Sequence, residues 1–220
     1  LGPTIIPPVR TLWLRDRALD LDRVRLLGVL NLTPDSFSDG GRYLDPERAL
    51  ERAREMVAEG ADILDLGAES TRPGAAPVPV EEEKRWLLPV LEAVLSLGVP
   101  VSVDTRKPEV AEEALKLGAH LLNDVTGLRD ERMVALAARH GVAAVVMHMP
   151  VPDPATMMAH ARYRDVVAEV KAFLEAQARS WPWATRSWWG FPASAPSGSF
   201  PGWRTRPRGS TAPWPPTSSP

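Results

Sequence analysis

Apolar runs in this 220-residue chain repeatedly end in polar side chains that could bind a cation or a small molecule. The first run, at 26–30, stops at Asn31, and a loop with a proline and a glycine pair follows. Such a run is typical of a buried strand that ends in a loop carrying chemistry. The Asn31 carboxamide offers a neutral oxygen that a hard cation such as Mg²⁺ accepts. The alternative is an ordinary polar strand end followed by a turn.

Later apolar runs end in groups of the same kind. One leads into the segment 69–74, which reads Glu-Ser-Thr-Arg-Pro-Gly, and two others end at Asp104 and Asn123. Carboxylate and amide groups at neighbouring strand ends accept and donate hydrogen bonds, which suits recognition of a flat ligand. The alternative is that Asp104 and Asn123 cap the helices that follow them.

The spacing of apolar residues predicts alternating strands and helices between residues 24 and 178. The predicted strands are 24–30, 63–66, 99–103, 120–122 and 143–147. The predicted helices are 46–59, 80–97, 108–117, 131–139 and 159–178. Proline in the first turn of some helices and glycine after the end of others support these boundaries. The charged segment 81–85, at the start of the second helix, is predicted to be solvated.

Repeated strand–helix units fit either a doubly wound sheet or a (β/α)₈ barrel. A dinucleotide-binding sheet would carry G-x-G-x-x-G after its first strand, whereas this chain has Asn-Leu-Thr-Pro-Asp there. We therefore predict an α/β fold of the (β/α)₈ TIM barrel type, truncated after about five strands. Active sites of such barrels lie at the C-terminal ends of the strands, where the polar residues described above fall.

The composition changes sharply near residue 179. Residues 180–220 contain no Asp, Glu, Lys, Leu, Ile or Val, but hold six of the eight tryptophans and nine of the 23 prolines. Proline at this density disfavours helices and sheets, and the bias is what GC-rich DNA yields in a wrong reading frame. We predict an incomplete barrel domain at 1–179 and, at 180–220, a disordered tail of out-of-frame sequence.

The overall charge and the amino-acid usage exclude several classes of function. A net charge of −2 gives no electrostatic case for binding nucleic acid or an acidic membrane. The chain has no cysteine, which excludes disulfides and thiolate metal sites and fits a reducing compartment. No apolar run reaches the ~20 residues that span a bilayer. We expect a cytoplasmic protein without nucleic-acid or membrane partners.

The segments 28–41 and 62–74 together resemble the first two signature segments of dihydropteroate synthases, the pterin-binding TIM-barrel enzymes of folate biosynthesis. The first segment reads Gly-Val-Leu-Asn-Leu-Thr-Pro-Asp-Ser-Phe-Ser-Asp-Gly-Gly. The resemblance extends over about residues 20–178. It implies a transferase that condenses (7,8-dihydropterin-6-yl)methyl diphosphate with 4-aminobenzoate, giving 7,8-dihydropteroate and diphosphate.

The resemblance implies a diphosphate site and a cofactor. Asn31 would hold Mg²⁺ on the diphosphate of the substrate, and Thr71 would bind the diphosphate end directly. Arg72 is assigned to substrate binding beside Thr71, although it could instead pair with Glu69 or another acid.

The resemblance also implies a pterin pocket. Asp104 and Asn123 would hold the dihydropterin ring through its row of amino, ring-nitrogen and carbonyl groups. Met147 would line the pocket, which suits a polarisable side chain, although taken alone it is a core residue. His148 is left out of the site, because a lone histidine after a strand is usually a hydrogen-bonded surface residue.

Dihydropteroate synthases continue with an Asp-Pro-Gly strand end, a Ser-Arg-Lys segment and an Arg-x-His segment, none of which occurs in these 220 residues. We expect the chain as written to be inactive, and to form a homodimer only if the barrel is complete. One alternative is a methyltetrahydrofolate-binding methyltransferase, which segments 33–41 and 70–74 disfavour. Another is a non-catalytic protein whose Trp/Pro tail binds a partner, which the lack of a P-x-x-P repeat disfavours.

Overall fold

A computed structural model describes residues 11–33, 45–70, 75–151, 153, 156–160 and 162–180. Its strands are β1 Thr11–Leu14, β2 Arg17–Asp20, β3 Leu27–Asn31, β4 Ile63–Gly67, β5 Val101–Asp104, β6 Leu121–Asp124 and β7 Ala143–Val146. Its helices are α1 Pro46–Ala58, α2 Val80–Leu95, α3 Pro108–Leu117, α4 Glu131–His140, α5 Met157–His160 and α6 Val166–Ser180. The predicted tail lies outside the described residues except for Ser180.

Five of these strands form one parallel sheet in the order β3-β4-β5-β6-β7, with a helix between each consecutive pair. The strand order follows the chain order, so this sheet lacks the reversal that marks a doubly wound fold. The predicted α/β architecture of barrel type is therefore confirmed for these five strands. Apart from the last helix, the predicted boundaries differ from the observed ones by at most three residues.

The two faces of the parallel sheet differ in chemistry. Leu30, Leu66, Val103 and Leu122 are buried in the main core together with apolar residues of helices α1 to α4. On the opposite face, Val29 of β3 is 52% exposed although it lies in the middle of its strand. In a closed barrel this second face points inward and carries the interior side chains.

The start of α1 shows the predicted proline in the first turn and, in addition, a side-chain cap. Asp45 accepts hydrogen bonds from the backbone N–H groups of Glu47 and Arg48 at 3.0 and 3.4 Å, and Pro46 occupies the first turn of α1. Such a cap satisfies amide groups that have no partner inside the helix. These local signals fix where α1 begins.

A short antiparallel hairpin of β1 and β2 precedes the sheet and was not predicted. Its Leu14 is fully buried against Ile63 and Leu121, which lie at the N-terminal ends of β4 and β6. In the turn of the hairpin, the Arg15 guanidinium donates a hydrogen bond to the carbonyl oxygen of Leu115 at 2.8 Å. The hairpin thus packs against the end of the sheet opposite the polar strand ends.

The prediction of one continuous helix over 159–178 is wrong at residues 162–165, which are not helical. The structure has the short helix α5 and then α6, which begins at Val166. The Asp165 side chain accepts from the backbone N–H of Ala168 at 3.0 Å, and the Glu169 carboxylate accepts from the N–H groups of Arg164 and Asp165. This reciprocal capping starts a new helix at that point. None of the helices within the described ranges is long and apolar enough to cross a membrane.

Candidate functional site

Parallel pairing brings three of the predicted site residues into one row at the C-terminal ends of the strands. Asn31 pairs with Gly67, Gly67 with Asp104, and Asp104 with Asn123, so the row crosses β3, β4, β5 and β6. Since neighbouring strands lie about 4.8 Å apart, side chains in such a row on one face are within reach of one flat ligand. The row continues to Val145 of β7, which is 38% exposed.

Gly67 leaves an open position in this row. A Cβ atom at Gly67 would lie 3.3 Å from the Cβ of Asp104 and 3.5 Å from its Oδ2. Any side chain at this position would therefore press against the Asp104 carboxylate. The glycine thus leaves room for the Asp104 side chain on the β4 side.

Neither Asp104 nor Asn123 caps a helix. Helix α3 has Lys107 at its cap position without a side-chain cap bond, and α4 is capped by Asp130. The capping alternative for these two residues is therefore wrong. Their polar groups remain at the strand ends.

The amide of Asn123 is held by a residue that the sequence did not single out. Its Nδ2 donates to the Asp65 carboxylate oxygen Oδ2 at 3.0 Å. Asp65 lies in β4, two residues before Gly67 and thus further from the strand end than Asp104, and is only 3% exposed. The signal that could have revealed it is a carboxylate in the middle of an apolar strand, where a charged residue is rare without a role.

Burial and like charge change the protonation of Asp104. Burial raises its pKa to about 7, and the carboxylates of Asp65, Asp124, Glu83 and Glu69 contribute to the rise. Desolvation disfavours the charged form, and each nearby negative charge adds to the effect. At neutral pH Asp104 is consequently divided between its protonated and ionised forms, so that it can donate or accept a hydrogen bond.

Asp124, next to Asn123, has a structural task. Its carboxylate accepts hydrogen bonds from the backbone N–H and the hydroxyl of Thr126 at 2.8 and 2.7 Å, and from the N–H of Leu128 at 3.1 Å. Burial raises the pKa of Asp124, while these three bonds act in the opposite direction. Asp124 therefore shapes the loop after β6. Of the two residues, only Asn123 belongs to the row.

A second group of charges lies beside the row. Glu69, just after β4, accepts from the Arg106 Nε at 2.9 Å and from the backbone N–H of Val78 at 3.0 Å, and it pairs with the Lys107 Nζ at 2.9 Å. Burial would raise the pKa of Glu69, but these donors lower it below its ordinary value. The bond to Val78 links Glu69 to the segment that precedes α2.

The prediction that segment 81–85 is solvated is wrong for Glu83. This side chain is fully buried; it pairs with the Lys107 ammonium and accepts a hydrogen bond from the Thr105 hydroxyl at 2.6 Å. Its neighbour Glu81 is 85% exposed, as expected. A buried carboxylate requires such partners, because its desolvation is otherwise too costly.

The structure describes Met147 but not the other two remaining predicted site residues. Thr71 and Arg72 lie outside the described residues. Met147 follows β7 directly and is 39% exposed. His148 packs its ring edgewise on Phe173 of α6 at 5.1 Å between centroids. Within the described ranges, no three His, Asp or Glu side chains are grouped so as to hold a metal ion.

Comparison with known proteins places this arrangement in a family. The family model described as "Pterin binding enzyme" matches residues 27–184. The dihydropteroate synthase of Escherichia coli K12 is 45% identical over 170 residues, which are 76% of this chain and 60% of that protein. The dihydropteroate synthase of Mycobacterium leprae is 47% identical over 159 residues, 72% of this chain and 56% of that protein.

Solved structures give the same result. The crystal structure of dihydropteroate synthase from Thermus thermophilus in complex with 4-aminobenzoate is 88% identical in sequence, with a TM-score of 0.70 over 80% of this chain and 62% of that one. The chain thus spans about 60% of the length of these relatives. The resemblance that the sequence motifs indicated is confirmed. With its match extending over more than half of the 220 residues, the chain belongs to the pterin-binding enzyme family.

Proposed function

We propose that this chain carries the pterin-reading part of a dihydropteroate synthase. The reaction would condense (7,8-dihydropterin-6-yl)methyl diphosphate with 4-aminobenzoate to give 7,8-dihydropteroate and diphosphate. The observation that carries the proposal is the row of Asn31, Gly67, Asp104 and Asn123 across four neighbouring strand ends. Similar proteins have been crystallised with 4-aminobenzoate, with 6HMPPP and with 7,8-dihydropteroate.

Ring recognition is assigned to Asp104 and Asn123. A pterin presents amino, ring-nitrogen and carbonyl groups along one edge, and a carboxyl beside a carboxamide matches such an alternation of donors and acceptors. Asp104, with its pKa near neutrality, can adopt whichever protonation state the ring requires. Met147, at 39% exposure after the end of β7, is assigned to the apolar lining of the same pocket.

The diphosphate is assigned to Asn31 with Mg²⁺, and to Thr71 and Arg72. Asn31 is exposed at the end of β3, so its amide oxygen is free to approach a ligand. A single neutral oxygen suits Mg²⁺, which usually keeps several waters and takes its other ligands from substrate phosphates. When bound, the ion would supply charge stabilisation to the departing diphosphate.

In the proposed reaction the bonds break and form between the two substrates, with little covalent participation by the chain. The C–O bond to the diphosphate breaks and its electron pair leaves with the diphosphate, while the amine nitrogen of 4-aminobenzoate forms the new C–N bond and loses a proton. The chain's own contribution is to fix the ring through Asp104 and Asn123 and to orient the diphosphate through Thr71 and Arg72. No catalytic acid or base is assigned.

The setting of this activity is also proposed. We assign the chain to the cytoplasm, with residues 1–179 as the pterin-binding barrel domain and 180–220 as a separate, unstructured and out-of-frame segment. Homodimerisation is assigned only to a complete barrel. The absence of cysteine supports the reducing compartment.

Calorimetric titration of the 220-residue chain with the dihydropterin diphosphate tests the proposal. Asp104→Ala and Asn123→Ala should each weaken binding by roughly ten-fold or more, since each removes a hydrogen-bond partner worth about 1–3 kcal/mol. Glu113→Ala, at an exposed position on α3, is the matched control and should bind like the parent chain. Unchanged affinity in both site variants would reject the assignment.

Turnover is the second measurement. The 220 residues lack the Asp-Pro-Gly, Ser-Arg-Lys and Arg-x-His segments of dihydropteroate synthases. We therefore expect this polypeptide to bind the pterin substrate without measurable product formation in the presence of 4-aminobenzoate and Mg²⁺. Robust turnover would show that other residues of the chain supply the missing groups.

A further inference from the structure

We propose that Asp65 is a positioning residue that fixes the amide of Asn123, so that the amide oxygen faces the bound ring. The inference rests on the proposed function, since it assigns a task within the same pocket. Asp65 itself need not touch the ligand.

The geometry sets the direction of the amide. Asp65 and Asn123 are 58 residues apart and lie on β4 and β6, with β5 between them. The Asn123 Nδ2 donates to Asp65 Oδ2 at 3.0 Å. Because the nitrogen of the carboxamide faces Asp65, the oxygen lies on the other side of the amide carbon. The amide oxygen of Asn123 must therefore point away from Asp65.

A purely structural role does not account for an aspartate at this position. Asp65 is 3% exposed, and its second oxygen, Oδ1, has no hydrogen-bond partner among the described residues. Ser102, which pairs with Asp65 in the sheet register, also has a buried hydroxyl oxygen without a partner there. Buried polar atoms in this state reduce stability, so an apolar residue would serve the fold better.

Asp65 also acts on Asp104 through its charge. After burial, Asp65 contributes most to the raised pKa of Asp104, ahead of Asp124, Glu83 and Glu69. These four carboxylates come from β4, β6, α2 and the loop after β4. Removing the Asp65 charge should thus lower the pKa of Asp104, in addition to any effect on Asn123.

The test compares two substitutions of Asp65 in the full 220-residue chain. Asp65→Leu removes the acceptor and the charge while keeping the number and branching of heavy atoms, whereas Asp65→Asn keeps an acceptor oxygen and removes only the charge. Ser102→Ala, next to Asp65 in the same row, is the control for disturbance of the buried layer. The readouts are the side-chain amide NMR signal of Asn123 and the affinity for the dihydropterin diphosphate as a function of pH.

Asp65→Leu should shift the Asn123 amide signal and weaken dihydropterin binding about ten-fold or more. Asp65→Asn should retain most of the affinity, while the midpoint of its binding-versus-pH profile moves to lower pH. Ser102→Ala should change neither readout. Parent-like affinity and an unchanged Asn123 signal in Asp65→Leu would overturn the inference alone, whereas failure of the parent chain to bind dihydropterin would contradict the proposed function.

Discussion

Two acidic clusters occupy the same end of the sheet and differ in whether cations neutralise them. The paired cluster consists of Glu69 and Glu83, which form ion pairs with Lys107; Glu69 also accepts from Arg106. The unpaired cluster consists of Asp65 and Asp104, for which the described residues supply no ion pair. Both clusters are largely buried, so a difference in solvent exposure does not explain why only one of them is paired with cations.

The contrast separates stability from binding. Buried carboxylates with cations and hydrogen bonds hold loops and helix ends in place, and breaking such a pair is strongly destabilising. Buried carboxylates without cations repel each other and acquire raised pKa values, as Asp104 does. Such perturbed groups concentrate at functional sites. The unpaired cluster is therefore where we place ligand recognition.

Removing the shared cation should have the largest effect. Lys107→Met leaves Glu83 fully buried without its cation, and we expect a loss of about 3–5 kcal/mol in the free energy of unfolding, measured in urea. Lys116→Met, on the exposed surface of α3, is the control and should cost little, since an exposed ion pair contributes little to stability. Adding Glu83→Gln to Lys107→Met should recover part of the loss. If both lysine variants lost the same small amount of unfolding free energy, the ion pairs of the paired cluster would not be important for stability, and the distinction between the two clusters would be wrong.

Neutralising the unpaired cluster should have the opposite sign. Asp104→Asn is expected to raise the free energy of unfolding at pH 8 by about 2–4 kcal/mol, while weakening dihydropterin binding. The folded pKa of Asp104 is about 7, above the unfolded value, so this residue lowers stability progressively as the pH rises from about 4 to 7. Urea unfolding at pH 4 and pH 8 tests this, because the gain should vanish at the lower pH. A loss of stability at pH 8 would place Asp104 with the paired cluster.

Glu69→Gln should give an intermediate loss with the reverse pH dependence. The pKa of Glu69 is lowered, so its contribution is present above the unfolded pKa and disappears as the pH falls through the folded value. We expect a cost of about 2 kcal/mol at pH 7 and little difference from the parent chain in acid, at a pH below the folded pKa. Thermal or urea unfolding at both pH values measures it. A cost that persists unchanged in acid would mean that packing, rather than charge, explains the role of Glu69.

Asn31→Ala should have the smallest effect on stability, within about 0.5 kcal/mol, since the side chain is exposed. Its effect should appear as a higher Mg²⁺ concentration for half-maximal binding of the dihydropterin diphosphate in calorimetry. Binding of 6-hydroxymethyl-7,8-dihydropterin, which has no diphosphate, should be unaltered. Loss of affinity for this diphosphate-free ligand would mean that Asn31 contacts the ring rather than the cation.

The alignment of the candidate site residues in one row was predictable because it depends on local signals. Asn31, Asp104 and Asn123 each follow an apolar run, and parallel strands connected by helices bring their C-terminal ends to one edge. The starts of α1 and α3 were predictable for a similar reason, since proline in the first turn is read directly from the sequence.

The buried side chains around this row and their contacts could not be predicted, because the contacts join segments that are distant in the sequence. Glu83 stands in a run of three acids, and its burial depends on two partners more than twenty positions away, Thr105 and Lys107. Asp65 sits between apolar neighbours in a strand whose residues are all buried, so alternation gave no sign of which face it occupies. The hairpin was missed because its strands have four residues each and its turn uses Arg15 at φ 61° rather than glycine.

The most direct test of ligand recognition by the unpaired cluster is a crystal structure of this chain with 6-hydroxymethyl-7,8-dihydropterin bound. We predict that the edge of the ring lies within hydrogen-bond distance of the Asp104 carboxyl and the Asn123 amide oxygen, while the Asn123 Nδ2 remains on Asp65. A ring bound elsewhere, with Asp104 and Asn123 uncontacted, would contradict the account.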